Sequence, residues 1–153
     1  VGDYVTAAGV TGTVEAVTLR TTTVRGYGGE LSVIPNGSIS VLTNYSRTDS
    51  LAIVEFPVAY EADGERALLL MREEAEAYYA GLGDVAVEKP EVVGAVQLTG
   101  GEMVLRVVQR VKPLEHWAVQ RELTRRIAAR FVREGIPLPR TRVQMANKEG
   151  GEA

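Results

Sequence analysis

From Tyr4 to Tyr45 the chain carries no helical period and is crowded with β-branched residues; beyond Ser50 apolar residues recur first at every second position, then at steps of three and four. This change of period constrains the fold most, because a face repeating every second residue cannot become a helix stripe. The first part predicts five short strands, at Tyr4–Ala8, Val10–Leu19, Arg20–Arg25, Leu31–Ile34 and Val41–Tyr45. In the second of them Val10, Val14 and Ala16 alternate against Thr11, Thr13 and Glu15. Gly12 sits inside that run, the mark of a bend or of a close backbone approach. Gly28-Gly29 predicts a hairpin turn. Pro35-Asn36-Gly37 predicts another turn, proline setting φ and Asn-Gly accepting left-handed geometry. Five strands in so short a span favour a small, bent, barrel-like sheet.

The second part predicts a strand over Ser50–Tyr60, with Ala52, Val54, Phe56, Val58 and Tyr60 on one face. Pro57 lacks an N–H, so an edge position or a bulge is expected there. Asp63 is placed to cap a helix whose buried stripe is Leu68, Met71, Ala75 and Tyr78, ended by Gly81 and Gly83. Val92–Leu98 and Met103–Val111 read as strands joined by Gly100-Gly101. A longer helix from about Leu114 to Glu134 buries Val119, Leu123, Ile127 and Phe131 and stops at Gly135 and Pro137. Thr141–Met145 is a last strand. The predicted class is therefore α+β: a five-stranded barrel-like β domain over 1–47, a βαββαβ ferredoxin-like domain over 48–146, and a polar tail over 147–153.

Composition narrows the chemistry. The chain has 153 residues, 45% of them hydrophobic and 24% charged, which suits a packed fold. No window approaches the roughly 18 uninterrupted apolar residues of a spanning helix. It opens on Val1-Gly2-Asp3 rather than on Met and shows no leader, so it is read as a piece of something longer. The absence of cysteine excludes disulfides and thiolate zinc sites. A net charge of −3 argues against a general nucleic-acid binder, and a single histidine weakens metal and acid–base schemes.

Several clusters have plain readings. Gly26-Tyr27-Gly28-Gly29 lacks the Lys-Ser/Thr of a phosphate-binding loop and is read as a hairpin. His116, beside Trp117 at a helix start, has no second histidine to form a metal site with. Glu73, Glu74 and Glu76 read as a solvated helix face. Arg121, Arg125, Arg126, Arg130 and Arg133 read as a solvated or intersubunit face, with an anion or RNA contact as the sharper reading. No catalytic set is assignable, so the chain is not expected to be an enzyme, and no cofactor is expected.

Three segments stand out by their order: Gly9-Val10-Thr11-Gly12-Thr13-Val14, Ile34-Pro35-Asn36-Gly37-Ser38-Ile39 and Asn44-Tyr45-Ser46-Arg47. Together with Val1-Gly2-Asp3-Tyr4-Val5, Leu19-Arg20-Thr21-Thr22, Phe56-Pro57-Val58-Ala59-Tyr60, Val104-Leu105-Arg106-Val107 and Gly135-Ile136-Pro137-Leu138-Pro139, they resemble the cytoplasmic part of the small-conductance mechanosensitive channel (MscS) family. The resemblance spans nearly the whole chain.

It implies a soluble cage domain beneath the pore of an inner-membrane channel, on the cytoplasmic side. Such channels open under membrane tension and release ions and small solutes in osmotic downshock. It implies self-association into a ring, typically a heptamer, and no nucleic-acid partner. Asn36 and Gly37 would lie where the β domain meets the pore helix; a turn kept for backbone geometry alone is the alternative. Gly12 and Pro35 would be structural bend and turn residues. Thr141, Val143 and Met145 would belong to an intersubunit strand. Portal candidates are Arg47, Asp49 and Glu55 near the domain junction, although Ser50-Leu51-Ala52-Ile53 is poorer in charge than the family's junction often is. A soluble RNA- or metabolite-binding module explains the same elements and remains the alternative, with an enzyme built on Asp and Glu residues third.

Overall fold

The computed structural model describes residues 1–139. Five strands, β1 (Tyr4–Ala7), β2 (Val10–Val17), β3 (Thr21–Arg25), β4 (Leu31–Pro35) and β5 (Leu42–Asn44), form an antiparallel sheet in the order β4-β3-β2-β1-β5. β4 and β5 are its two edges. The β1–β2 hairpin closes through two residues, Ala8 and Gly9, both at positive φ, so its turn twists in the sense of the strands it joins. Val5, Ala7, Val14, Val24 and Ile34 make the sheet's core, with Val10 and Ile39 packed against it.

Gly12 proves to be a close approach: a Cβ there would lie against the Arg25 carbonyl and the Val24 side chain across the ladder. Three residues on, the alternation fails. Register shifts between Val14 and Ala16, leaving Glu15 as the extra residue of a bulge, and Ala16 is exposed instead of joining Val14 in the core.

The second sheet has β6 (Ser50–Ala59), β7 (Glu91–Thr99) and β8 (Glu102–Val111) in the order β6-β8-β7, all antiparallel. Helices α1 (Gly64–Leu82) and α2 (His116–Arg133) complete a mixed α+β fold of two sheets and two helices. The element order β6-α1-β7-β8-α2 matches the first five members of the expected series. Thr141, Val143 and Met145 lie outside the described residues.

β6 buries Ala52, Val54, Phe56 and Val58 as its alternation requires, but Tyr60 is 64% exposed because the strand ends at Ala59 and the chain turns. Pro57 sits in an unshifted ladder opposite Val104, on an edge strand, where its missing N–H is tolerated. The open side of β6 is partly covered: Ala59 N–H donates to the Pro137 carbonyl at 3.0 Å, and Gln120 Nε2 donates to the Ile53 carbonyl at 3.2 Å.

α1 starts where Asp63 accepts from the Arg66 N–H at 3.2 Å. Its buried face is Ala67, Leu70, Met71 and Ala75; Leu68 and Tyr78 lie at the rim, so the stripe is turned by one residue from the expected one. α2 buries Val119, Leu123, Ile127 and Phe131, and Phe131 meets Phe56 edge-on with centroids 5.1 Å apart. Gly135 at φ 70° lets Ile136 N–H reach the Phe131 carbonyl (2.9 Å) and Gly135 N–H the Val132 carbonyl (3.2 Å), a Schellman ending that returns Ile136 to the core.

The acidic and basic helix faces are each other's partners. Arg130 holds Glu73 (2.8 Å), Glu74 (3.1 Å) and Glu134 (3.2 Å), and Glu134 also takes Arg66 (3.0 Å). Arg125 and Arg126 share Glu122, whose carboxyl is pulled down to about 2 by those two guanidinium groups. Glu73 and Glu74 are therefore not simply solvated, and three of the five arginines are already occupied.

Candidate functional site

Two places gather the residues singled out by sequence. The first is the turn after β4, a short 3-10 segment Asn36–Ser38. Pro35 ends β4 opposite Thr21 and presets the entry with φ −58°. The left-handed geometry expected of Asn-Gly is absent, since neither Asn36 nor Gly37 has positive φ. The Asn36 side chain instead clasps its own sheet. Its Oδ1 accepts from Thr22 Oγ1 at 2.8 Å, and its Nδ2 donates to the carbonyls of Thr18 (3.0 Å) and Leu19 (3.3 Å). The Asn36 N–H donates to the Arg20 carbonyl at 2.8 Å. Both amide hydrogens are thus committed to the β2–β3 turn, and one Oδ1 lone pair is left over. That turn carries Leu19 outward, 95% exposed.

A Cβ on Gly37 would meet nothing within 4 Å. No contact among the described residues demands glycine there. On the same sheet a cleft of ≈ 290 Å³ opens among Val5, Val14, Val17, Thr22, Ile39 and Leu42, with Asp3 and Asn44 at its rim.

The second place is where β5 leads into β6. Asp3 Oδ2 accepts from Asn44 Nδ2 at 2.9 Å and from Arg47 Nε at 2.7 Å, and these bonds hold its carboxyl below the usual carboxylate range. Asn44 Oδ1 accepts from the Ser46 N–H (2.8 Å), Ser46 Oγ accepts from the Tyr4 N–H (2.9 Å), and Tyr45 N–H donates to the Tyr4 carbonyl (2.9 Å). Segment 44–47 is stitched back onto β1.

Arg47, Asp49 and Glu55 are not brought together. Arg47 is turned to Asp3, Asp49 is exposed, and Glu55 lies along β6, paired with Arg106 through the Nε bond of 2.9 Å. Ser50 and Glu55 are five residues apart on an extended strand, roughly 17 Å.

The feature that sequence reading missed is aromatic. Tyr4 and Tyr45 meet Trp117, at the start of α2, with centroid separations of 5.4 Å and 5.6 Å, and meet each other at 5.9 Å. His116 packs on Trp117 at 4.0 Å. This cluster ties the five-stranded sheet to α2 across separations too long for any local pattern; its one signal was the pairing of Trp117 with the lone histidine. Among the described residues no group of three or more His, Asp or Glu side chains could hold a metal ion, and no helix is long and apolar enough to cross a membrane.

Comparison with known proteins accounts for the order of these parts. Residues 1–47 match the family model "Mechanosensitive ion channel, beta-domain" and residues 52–138 match "Mechanosensitive ion channel MscS, C-terminal". A small-conductance mechanosensitive channel of Caldanaerobacter subterraneus is 33% identical over 151 residues, covering 97% of this chain and 53% of that protein. The moderate conductance mechanosensitive channel YbiO of Escherichia coli is 26% identical over 140 residues, covering 90% of this chain and 19% of that protein. The chain thus spans about half the length of the first relative and about a fifth of the second. Helicobacter pylori MscS in its closed state has the same fold, with a TM-score of 0.76 at 21% identity, covering 97% of this chain and 59% of that one. The two consecutive matches, one for each sheet, show that the chain belongs to the MscS family of mechanosensitive ion channels.

Proposed function

We propose that this chain is the cytoplasmic cage of a tension-gated channel, which opens under membrane tension and releases ions and small solutes in osmotic downshock. The observation that carries this reading is the succession of a β-domain match over 1–47 and a C-terminal-domain match over 52–138. In this reading 1–47 is a barrel-like β domain and 48–146 a ferredoxin-like domain completed by the strand at 141–145. The whole protein would sit in the inner membrane with this part on the cytoplasmic side.

Ring assembly, as a heptamer, has a physical basis in the five-stranded sheet. Among the described residues its edges β4 and β5 are both unpaired, with Leu31, Val33, Val41 and Leu42 exposed beside them. Edges at opposite ends of one sheet allow head-to-tail contacts that close a ring. The strand holding Thr141, Val143 and Met145 would add contacts around the axis.

A cage cannot feel bilayer tension itself; it acts by contacting the pore helix differently in closed, open and inactivated states. Gly37 is the natural point of contact, because glycine there leaves space that nothing among the described residues uses. Asn36 acts mainly by holding the Thr18–Arg20 turn, and Leu19 with it, in place beside that point. Arg47, Asp49 and Glu55 remain portal candidates at the junction.

The decisive experiment expresses the parent gene in cells stripped of their own mechanosensitive channels. Excised patches should show a stretch-activated current, and the cells should survive osmotic downshock; patches silent up to lytic tension would refute the proposal.

A further inference from the structure

The aromatic cluster between the five-stranded sheet and α2 lies against the one imidazole of the chain. His116 opens α2 with its ring on Trp117, and its Nδ1 is buried without a hydrogen-bond partner. Trp117 in turn is, among the described residues, the ring of α2 that touches Tyr4 on β1 and Tyr45 after β5. A proton on Nδ1 would place a cation donor where the described residues offer no acceptor, and at the positive end of a helix dipole.

We propose that His116 makes the Tyr4–Tyr45–Trp117 cluster a proton-sensitive latch, closed when the imidazole is neutral and released when it is charged. From β1 and the β5 end the cluster receives two phenols, and the nearby Asp3 and Arg47 are bonded to each other. The charged residues on the segments bonded to the start of α2 are Asp49, next to Ser50, whose Oγ accepts from the Leu114 N–H, and Lys112, whose carbonyl accepts from the Glu115 N–H. On the turn into α2, Glu115 gives the helix no side-chain cap. Burial lowers the proton affinity of His116.

The sign follows from linkage. A histidine whose pKa is lowered in the closed latch binds protons better when the latch is open. Closure is therefore strongest above the ordinary value of about 6.5 and weakens as pH falls below it. This property is independent of ring assembly and of the channel reading, since it belongs to contacts within one chain.

The test is clean because the 153-residue chain has one histidine and one tryptophan, and both are in the cluster. The chain is titrated from about pH 8 to about pH 5, the range in which an unperturbed histidine changes charge. The imidazole resonance, Trp117 quenching by acrylamide and far-UV circular dichroism are followed together. The latch predicts an imidazole midpoint below about 6.5. It also predicts a rise in Trp117 accessibility on the acid side with unchanged dichroism, and loss of that rise in His116→Gln. The proposal is overturned by a midpoint at or above the ordinary value, by flat accessibility, by an accessibility change that tracks loss of secondary structure, or by an equal rise in His116→Gln. The first three outcomes need only the unaltered chain, so the test survives a variant that fails to fold.

Discussion

Replacing Asn36 with alanine cuts three side-chain hydrogen bonds, and the structure says which of them matters. The carbonyls of Thr18 and Leu19 lie on an exposed turn and regain water when the amide is removed, so each loses a few tenths of a kcal/mol. Thr22 is different: it is 8% exposed, and its hydroxyl donates to Asn36 Oδ1 at 2.8 Å. Stripping its acceptor leaves a buried donor unsatisfied, at a cost of about 1–3 kcal/mol. The expected total is about 2 kcal/mol, which for a chain of this size lowers the thermal midpoint by roughly 4–8 °C.

A double-mutant cycle with Thr22→Val separates the clasp from everything else alanine does. If the hydroxyl and the amide stabilise each other, the two substitutions together cost less than their sum by about 1 kcal/mol. Asn36→Asp supplies a further contrast, since it keeps an acceptor for Thr22 but aims a carboxylate at two carbonyls it can no longer serve. Urea unfolding of the five chains, with amide exchange read over Thr21–Arg25, measures all of this. An Asn36→Ala loss under about 0.5 kcal/mol, or additive costs in the cycle, would refute the account of Asn36 as the clasp of the β2–β3 turn.

Other perturbations have equally definite outcomes. Gly12→Ala should cost about 1–3 kcal/mol, read by unfolding of the five-stranded sheet, because its Cβ meets the Arg25 carbonyl rather than a yielding side chain. Asp3→Asn should flatten the acid limb of the stability profile: the lowered carboxyl contributes stability above its ordinary pKa of about 3.9, lost as pH falls through the folded value. Arg130→Met should destabilise the chain by leaving Glu73, Glu74 and Glu134 without their shared cation, a loss read by urea unfolding against the unaltered chain. In the full-length channel, Asn36→Ala is expected to change inactivation more than threshold tension, and patch-clamp records with unaltered inactivation would count against it.

What could be read in advance depended on how far a residue's environment is set by its own neighbours. The α2 stripe of Val119, Leu123, Ile127 and Phe131 was legible because four turns of one helix repeat the same demand, and β6 was legible because alternation over ten residues admits one buried face. Ala16 was misplaced because a bulge is a property of a pair: Glu15 is extra only relative to β3, and nothing in β2 alone announces it. The same holds for Arg130, whose partners Glu73 and Glu74 lie more than fifty residues earlier. Two charged helix faces read one at a time both look solvated; only their packing makes them neutralise each other.

This bears on where function can reside. Once Arg125, Arg126 and Arg130 are committed to carboxylates of their own chain, much of the basic stripe that suggested an anion contact is already used. Asn36 has likewise turned its donors inward. The features left facing outward in the five-stranded sheet are of another kind: Leu19 on a held turn, open space over Gly37, an apolar cleft and two free edges. These are surfaces for packing against protein, where shape decides more than charge. A cage that biases a gate would need that, because a packed contact can be gained or lost between two states and so carry the differential free energy that shifts them.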